Sequence, residues 1–192
     1  PMAICVSDTA YLLDIISQND IRDPETFNTN LNTFSQIDNT VQGLKIAFSL
    51  SLAESQPRTE VCDIIENNLN IFRKIGVRLV NICPQIKNPM KTYRVLLDSA
   101  WIYIAHQFNE QQKENFDPTF AAAVERGKKL TALDLRIAFG ERKKFMRVFS
   151  EFFSKYDLLI LPTNPTTAYP HGTREPIPEN NDNWNTTVCF TA

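Results

Sequence analysis

The chain has 192 residues, 43% of them hydrophobic and 22% charged, with a net charge of −2. That is the size of one domain, or of a large piece of a bigger one, with enough apolar material for a core. The near-neutral charge gives no electrostatic reason to expect nucleic acid or an anionic membrane surface as partner, and no apolar run approaches the roughly 20 residues that span a bilayer.

Residues 7–17 read as a helix, with Val6, Ala10, Leu13 and Ile16 on one stripe and Ser7 or Asp8 available to cap the first turn. The segment SQNDIRDPETF that follows is rich in turn formers. Residues 25–42 are polar and are expected as a loop. LKIAFS, 44–49, alternates Leu44, Ile46 and Phe48 with Lys45, Ala47 and Ser49, the period of a strand. From 58 to 75, Val61, Ile64, Ile65, Leu69, Phe72 and Ile75 mark a helical face, with Pro57 before it and Gly76 after it. VRLVNI, 77–82, is a second strand. Strand, helix, strand with short joints predicts a βαβ unit with parallel strands.

A helix is predicted over 90–108 through Tyr93, Leu97, Ala100, Trp101, Ile104 and Phe108, and a shorter one over 118–126. Thr131 and Asp134 have the spacing of a capping box and open a long helix to about Lys155, carrying Leu135, Ala138, Phe145, Phe149 and Phe152. DLLIL, 157–161, is continuously apolar, as expected of a central strand covered on both faces. It runs into the Pro/Thr/Asn loop PTNPTTAYPHG. The fold class is therefore α/β, with helices on both faces of a mixed, mostly parallel sheet.

The residues offer no catalytic set. The five glycines stand at 43, 76, 127, 140 and 172, so no glycine-rich phosphate loop, dinucleotide fingerprint or G-x-S-x-G elbow exists. No metal site or cofactor is expected: Cys5, Cys62, Cys83 and Cys189 lack zinc-like or C-x-x-C spacing, and read as reduced thiols of a cytoplasmic protein. His106 lies near a helix end. His171 sits in the loop after the last strand, without an identifiable nucleophile beside it. The basic run Arg142, Lys143, Lys144 and Arg147 reads as the solvated face of the long helix.

Several segments in order resemble the amidase signature family. Pro1-Met2-Ala3 with Val6, Asp8, Ala10, Leu12, Leu13 and Asp14 is similar to its G-P-[ML]-[AT]-R-[ST]-V-x-D-A-A-x-L-L-D segment. Asp20, Arg22, Asp23 and Pro24 resemble its G-x-D-x-x-D-P turn, and Leu44 to Phe48 after Gly43 its L-K-G-L-R-I-A strand. Gly127, Leu130, Thr131, Ala132, Asp134 and Arg142 are similar to its G-x-x-L-[ST]-A-x-D helix. Tyr156-Asp157-Leu158-Leu159 with Pro162-Thr163 and Pro165 resembles Y-D-L-L-L-T-P-T-x-P, and Trp184 with Phe190-Thr191 the approach to a further element. Two positions depart from the pattern: Ile4 stands where the family has Arg, and Cys5 where it has Ser or Thr.

The resemblance implies hydrolysis of a small-molecule carboxylic amide to acid and ammonia or amine. In the family a Ser nucleophile, a second Ser in a cis peptide and a Lys do the chemistry, all upstream of the G-P-M segment. It therefore implies that 1–192 is the C-terminal portion of a single amidase domain, truncated at both ends, with no catalytic residue of its own. Thr163, Asn164 and Thr166 are expected at the pocket mouth as substrate-binding residues, or else as caps on the strand end. Selectivity is also expected from the helix with Trp101 and Tyr103. The alternatives are the A subunit of the tRNA-dependent amidotransferase, the one reading that brings a nucleic acid partner, and a non-catalytic α/β binding or scaffold domain. Homodimerisation is left open.

Overall fold

A computed structural model describes residues 2–26, 31–53 and 57–171. The chain forms two compact units, Pro1–Gln42 and Gly43–Ala192. Cys189 and the C-terminal segment carrying Trp184, Phe190 and Thr191 lie outside the described residues.

In the first unit, helix α1 spans Val6–Ile16 and buries Ala10. Its N-cap is Cys5 rather than Ser7 or Asp8, and no side chain caps it; Thr9 Oγ1 donates back to the Cys5 carbonyl at 3.1 Å. The polar stretch expected as a plain loop contains a 3-10 helix, Phe34–Gln36. Its position is set by a residue far away in sequence. The Asp14 carboxylate accepts the backbone N–H groups of Thr33 at 2.7 Å and Phe34 at 2.9 Å, and Tyr11 meets the Phe34 ring edge-on at 5.8 Å. In the Asp20–Asp23 turn, Asp20 accepts both the backbone N–H and the guanidinium of Arg22.

The second unit contains β1 (Lys45–Phe48), α2 (Thr59–Lys74), β2 (Arg78–Asn81), α3 (Met90–His106), α4 (Glu110–Lys113), α5 (Pro118–Gly127), α6 (Ala132–Phe153) and β3 (Leu158–Ile160). The three strands form one sheet in the order β2-β1-β3, and both pairings are parallel. The α/β class and the βαβ unit thus stand as the sequence predicts. Gly76 stops α2 by taking φ +85°: its N–H bonds Arg73 O and the Val77 N–H bonds Phe72 O, the paired bonds of a Schellman end. The chain is thereby turned directly into β2.

Among the described strands the middle one is β1, where Ile46 and Ala47 are essentially inaccessible to solvent. The strand expected to be central, β3, is an edge among the described strands, and Leu158 is 51% exposed. Its apolar run could not reveal this, because strand order is fixed by pairing between distant segments. Lys45 and Asp157 lock the register, Asp157 N–H donating to Lys45 O at 2.9 Å and Lys45 N–H to Asp157 Oδ2 at 2.8 Å.

Helix α3 packs against both α5 and α6. Between α3 and α5, Trp101 meets Phe120 at 5.4 Å; Phe116 joins Phe120 at 4.7 Å and Phe108 at 5.5 Å. Each such ring pair contributes about 0.5–1.5 kcal/mol beyond the area it buries. Asp98 on α3 is buried and accepts two hydrogen bonds from the Arg126 guanidinium on α5, at 2.9 and 2.8 Å. The helices start where local chemistry directs. Asp117 caps α5 with Pro118 in its first turn, and Thr131 and Asp134 form the predicted capping box of α6. A second box, Asn109 with Gln112, opens the short α4, which the helical periodicity does not announce.

Candidate functional site

In a parallel sheet the backbone after each strand spills over the same edge, and ligands collect where neighbouring connections diverge. Here the divergence falls at the carboxyl end of β1. The chain leaves β1 through α2 to reach β2 on one side, while β3 lies on the other. Two segments build this edge, 49–53 after β1 and 161–167 after β3.

The first segment is a tight polar turn. Ser49 N–H continues the sheet to Ile160 O at 3.0 Å, while Ser49 Oγ donates to Ser51 O at 2.7 Å and accepts from Ser51 N–H at 3.3 Å. Leu52 and Ala53 turn inward and are buried, and Ala53 takes φ +51°. A residue with a Cβ in the left-handed region stores roughly 1 kcal/mol or more of strain. With its proton directed at the Ser51 carbonyl, the Ser49 hydroxyl shapes the turn.

The second segment is pinned at two points. Pro162 and Pro165 are the largest fully buried side chains described. Between them Thr163 and Asn164 are exposed, and Thr166 is half-buried with its hydroxyl on Thr167 O at 3.3 Å. Arg58 N–H donates to Pro165 O at 2.8 Å, and Thr167 Oγ1 to Glu60 Oε1 at 2.8 Å, tying the loop to the first turn of α2. The three residues singled out in the sequence therefore sit together on one anchored loop at the sheet's carboxyl edge. The anchors Arg58 and Glu60 and the Ser49–Ala53 turn were missed. The only sequence signal for that turn is a serine pair directly after a strand.

The other candidates stay apart from this edge chemistry. His106 ends α3 exposed, and His171 is exposed. Cys5 is exposed, and Cys62 and Cys83 are half-buried free thiols; desolvation, reinforced by Glu66 and Asp63, pushes the Cys62 thiol above its ordinary value, away from the reactive thiolate. Arg142, Lys143, Lys144 and Arg147 are exposed, as the solvated-face reading requires. Trp101, expected to tune selectivity, packs on Phe120, and Tyr103 is exposed. Among the described residues no His/Cys/Asp/Glu cluster could hold a metal ion, and no helix is long and apolar enough to cross a membrane. Among the described residues, this edge presents the exposed Thr163 and Asn164 side chains and no paired nucleophile and base.

The sequence matches the Amidase family over residues 1–192, the whole chain. The chain belongs to the amidase signature family. Among its relatives is the A subunit of the glutamyl-tRNA(Gln) amidotransferase of Thermotoga maritima, 25% identical over 196 residues, a match covering 90% of this chain and 41% of that protein. An acylamidase of Rhodococcus erythropolis is 26% identical over 178 residues, covering 88% of this chain and 36% of the relative. In fold the chain resembles a bacterial aryl acylamidase of the amidase signature family, with a TM-score of 0.73 at 16% identity over 88% of this chain and 36% of that one. The crystal structure of the T. maritima amidotransferase protein gives a TM-score of 0.54 at 23% identity, covering 96% of this chain and 40% of that one. The chain thus spans about two fifths of the length of these amidase-family proteins.

Proposed function

We propose that this chain is the C-terminal portion of an amidase domain that hydrolyses a small-molecule carboxylic amide to acid and ammonia or amine. In this reading a Ser-cis-Ser-Lys centre contributed by residues outside the chain breaks the bond. Thr163, Asn164 and Thr166 present hydrogen-bonding groups to the substrate from the anchored loop. The observation that carries it is the family match over residues 1–192. The exposure of Thr163 and Asn164 between two buried prolines supports the role of the loop.

The test is ammonia release from a panel of aliphatic and aromatic amides by the natural polypeptide that contains this segment. Thr163→Val and Asn164→Ala are expected to raise KM several-fold with kcat little changed and the melting temperature unmoved. Absence of ammonia from every amide would sink the hydrolase reading. An unchanged KM in both variants would leave the loop as a cap on the strand end. The amidotransferase relative supports a second reading, in which the ammonia is passed on within a multisubunit complex. Ammonia release that appears only with partner subunits and a charged tRNA would favour it.

A further inference from the structure

We propose that the groove between α3 and α6 is a binding site for a small amphiphilic carboxylate, its headgroup on Arg142 and its apolar tail between the two helices. The groove has a volume of about 530 Å³, within the few hundred to a thousand Å³ typical of small-molecule sites. Its walls are Ile86 from the β2–α3 connection, Leu96 from α3, and Phe145, Met146 and Phe149 from α6. Pro89 and three polar side chains, Thr92, Tyr93 and Arg142, complete the lining.

The charge pattern decides the ligand class. Arg142 is the single charged lining group, and among the described residues its guanidinium has no ion-pair or hydrogen-bond partner. The acid next to it in sequence, Glu141, is committed to Lys144 at 2.6 Å. The Tyr93 and Thr92 hydroxyls are likewise without side-chain partners among the described residues. An apolar slot with one uncompensated guanidinium and two spare hydroxyls complements a monoanion with an apolar body. A carboxylate matches the planar fork of Arg bidentately, whereas a phosphate monoester would leave much of its second charge unbalanced. Met146, 60% exposed, and the neighbouring Phe149 give the tail an adaptable wall. The groove shares no lining residue with the 49–53 and 161–167 segments, and the proposal does not rest on the amidase reading.

The experiment is calorimetric titration of the natural polypeptide containing this chain with phenylbutyrate, and with phenylbutanol as its neutral counterpart. Phenylbutyrate is expected to bind, to weaken roughly tenfold in Arg142→Gln, and to recover partly in Arg142→Lys. Phenylbutanol is expected to bind more weakly than the acid and equally to wild type and Arg142→Gln. Leu96→Trp, which fills the slot, is expected to abolish both. Arg142 is exposed, so Arg142→Gln keeps the fold and tests the headgroup even where Leu96→Trp perturbs packing. The proposal is overturned if phenylbutyrate gives no binding in the millimolar range, or if Arg142→Gln binds it as wild type does. It is also overturned if sedimentation shows that self-association, with a second copy in the groove, excludes the acid.

Discussion

Gly127 at the end of α5 lies against the backbone of Asp98 on α3 so closely that a Cβ on it would stand 2.6 Å from the Asp98 carbonyl oxygen. The obstacle is main chain, which cannot rotate away. Gly127→Ala would ordinarily favour a helix by about 1 kcal/mol. Here it must push α5 off α3, and a net loss of about 1–3 kcal/mol is expected. Urea unfolding checks this; a stabilised variant would show that the two helices are not held at this separation.

The same crossing is clamped by the Asp98–Arg126 pair. Asp98 is 3% exposed, so removing Arg126 strands a buried carboxylate. Because the Arg126 side chain is itself 46% exposed, water recovers part of that loss. Arg126→Leu is expected to cost about 2 kcal/mol. Replacing both residues, as Asp98→Leu with Arg126→Leu, should cost less than the sum of the single changes. Strict additivity in that double-mutant cycle would contradict a direct pair.

Acid should weaken both units. The Phe34 and Thr33 N–H groups hold the Asp14 carboxyl below its ordinary value, and the Thr131 hydroxyl and N–H do the same for Asp134. A carboxyl with a lower pKa folded than unfolded contributes stability that is complete above its unfolded value near about 4. That contribution disappears as the pH falls through the lower folded value. The stability gap between wild type and Asp134→Ala should therefore be widest near neutrality and shrink below pH 4. A gap constant from neutrality to pH 3 would refute the capping role of the ionised group.

Ala53 gives a change of opposite sign. At φ +51° a glycine sits without steric cost, so Ala53→Gly should be neutral or stabilise by up to about 1 kcal/mol, despite the loss of a buried methyl. Ala53→Val at the same position should destabilise by more. The midpoints of thermal unfolding for the two variants, compared with wild type, decide the matter.

Local chemistry made much of this fold readable from sequence. Gly76 ends α2, Thr131 and Asp134 open α6, and the strand–helix–strand spacing of 44–82 declares its parallel pair. Each of these signals lies within a few residues of its effect. The features that stayed hidden depend on partners far along the chain. Asp14 places a 3-10 helix twenty residues away, β3 takes its place among the described strands by pairing with β1, and the α3–α6 groove is lined from two helices separated in sequence. At the candidate site, the exposed Thr163 and Asn164 could be singled out because an apolar strand breaks into prolines there. The turn at Ser49–Ala53 could not, since alanine has no preference for the conformation it holds.

The pairing of Lys45 with Asp157 has a consequence in time. These residues are 112 positions apart, and at a synthesis rate of roughly 5–20 residues per second β1 waits roughly 6–22 s for its β3 neighbour to be made. During that interval one side of β1 has no β3 to pair with, and the loop that must then close carries an entropic cost that grows with its length. The pairs β1–β2 and α3–α5, each formed within a short stretch, are ready long before. β3 is therefore expected to join the sheet after β1 and β2 have paired, and the 161–167 loop to reach the sheet edge with it.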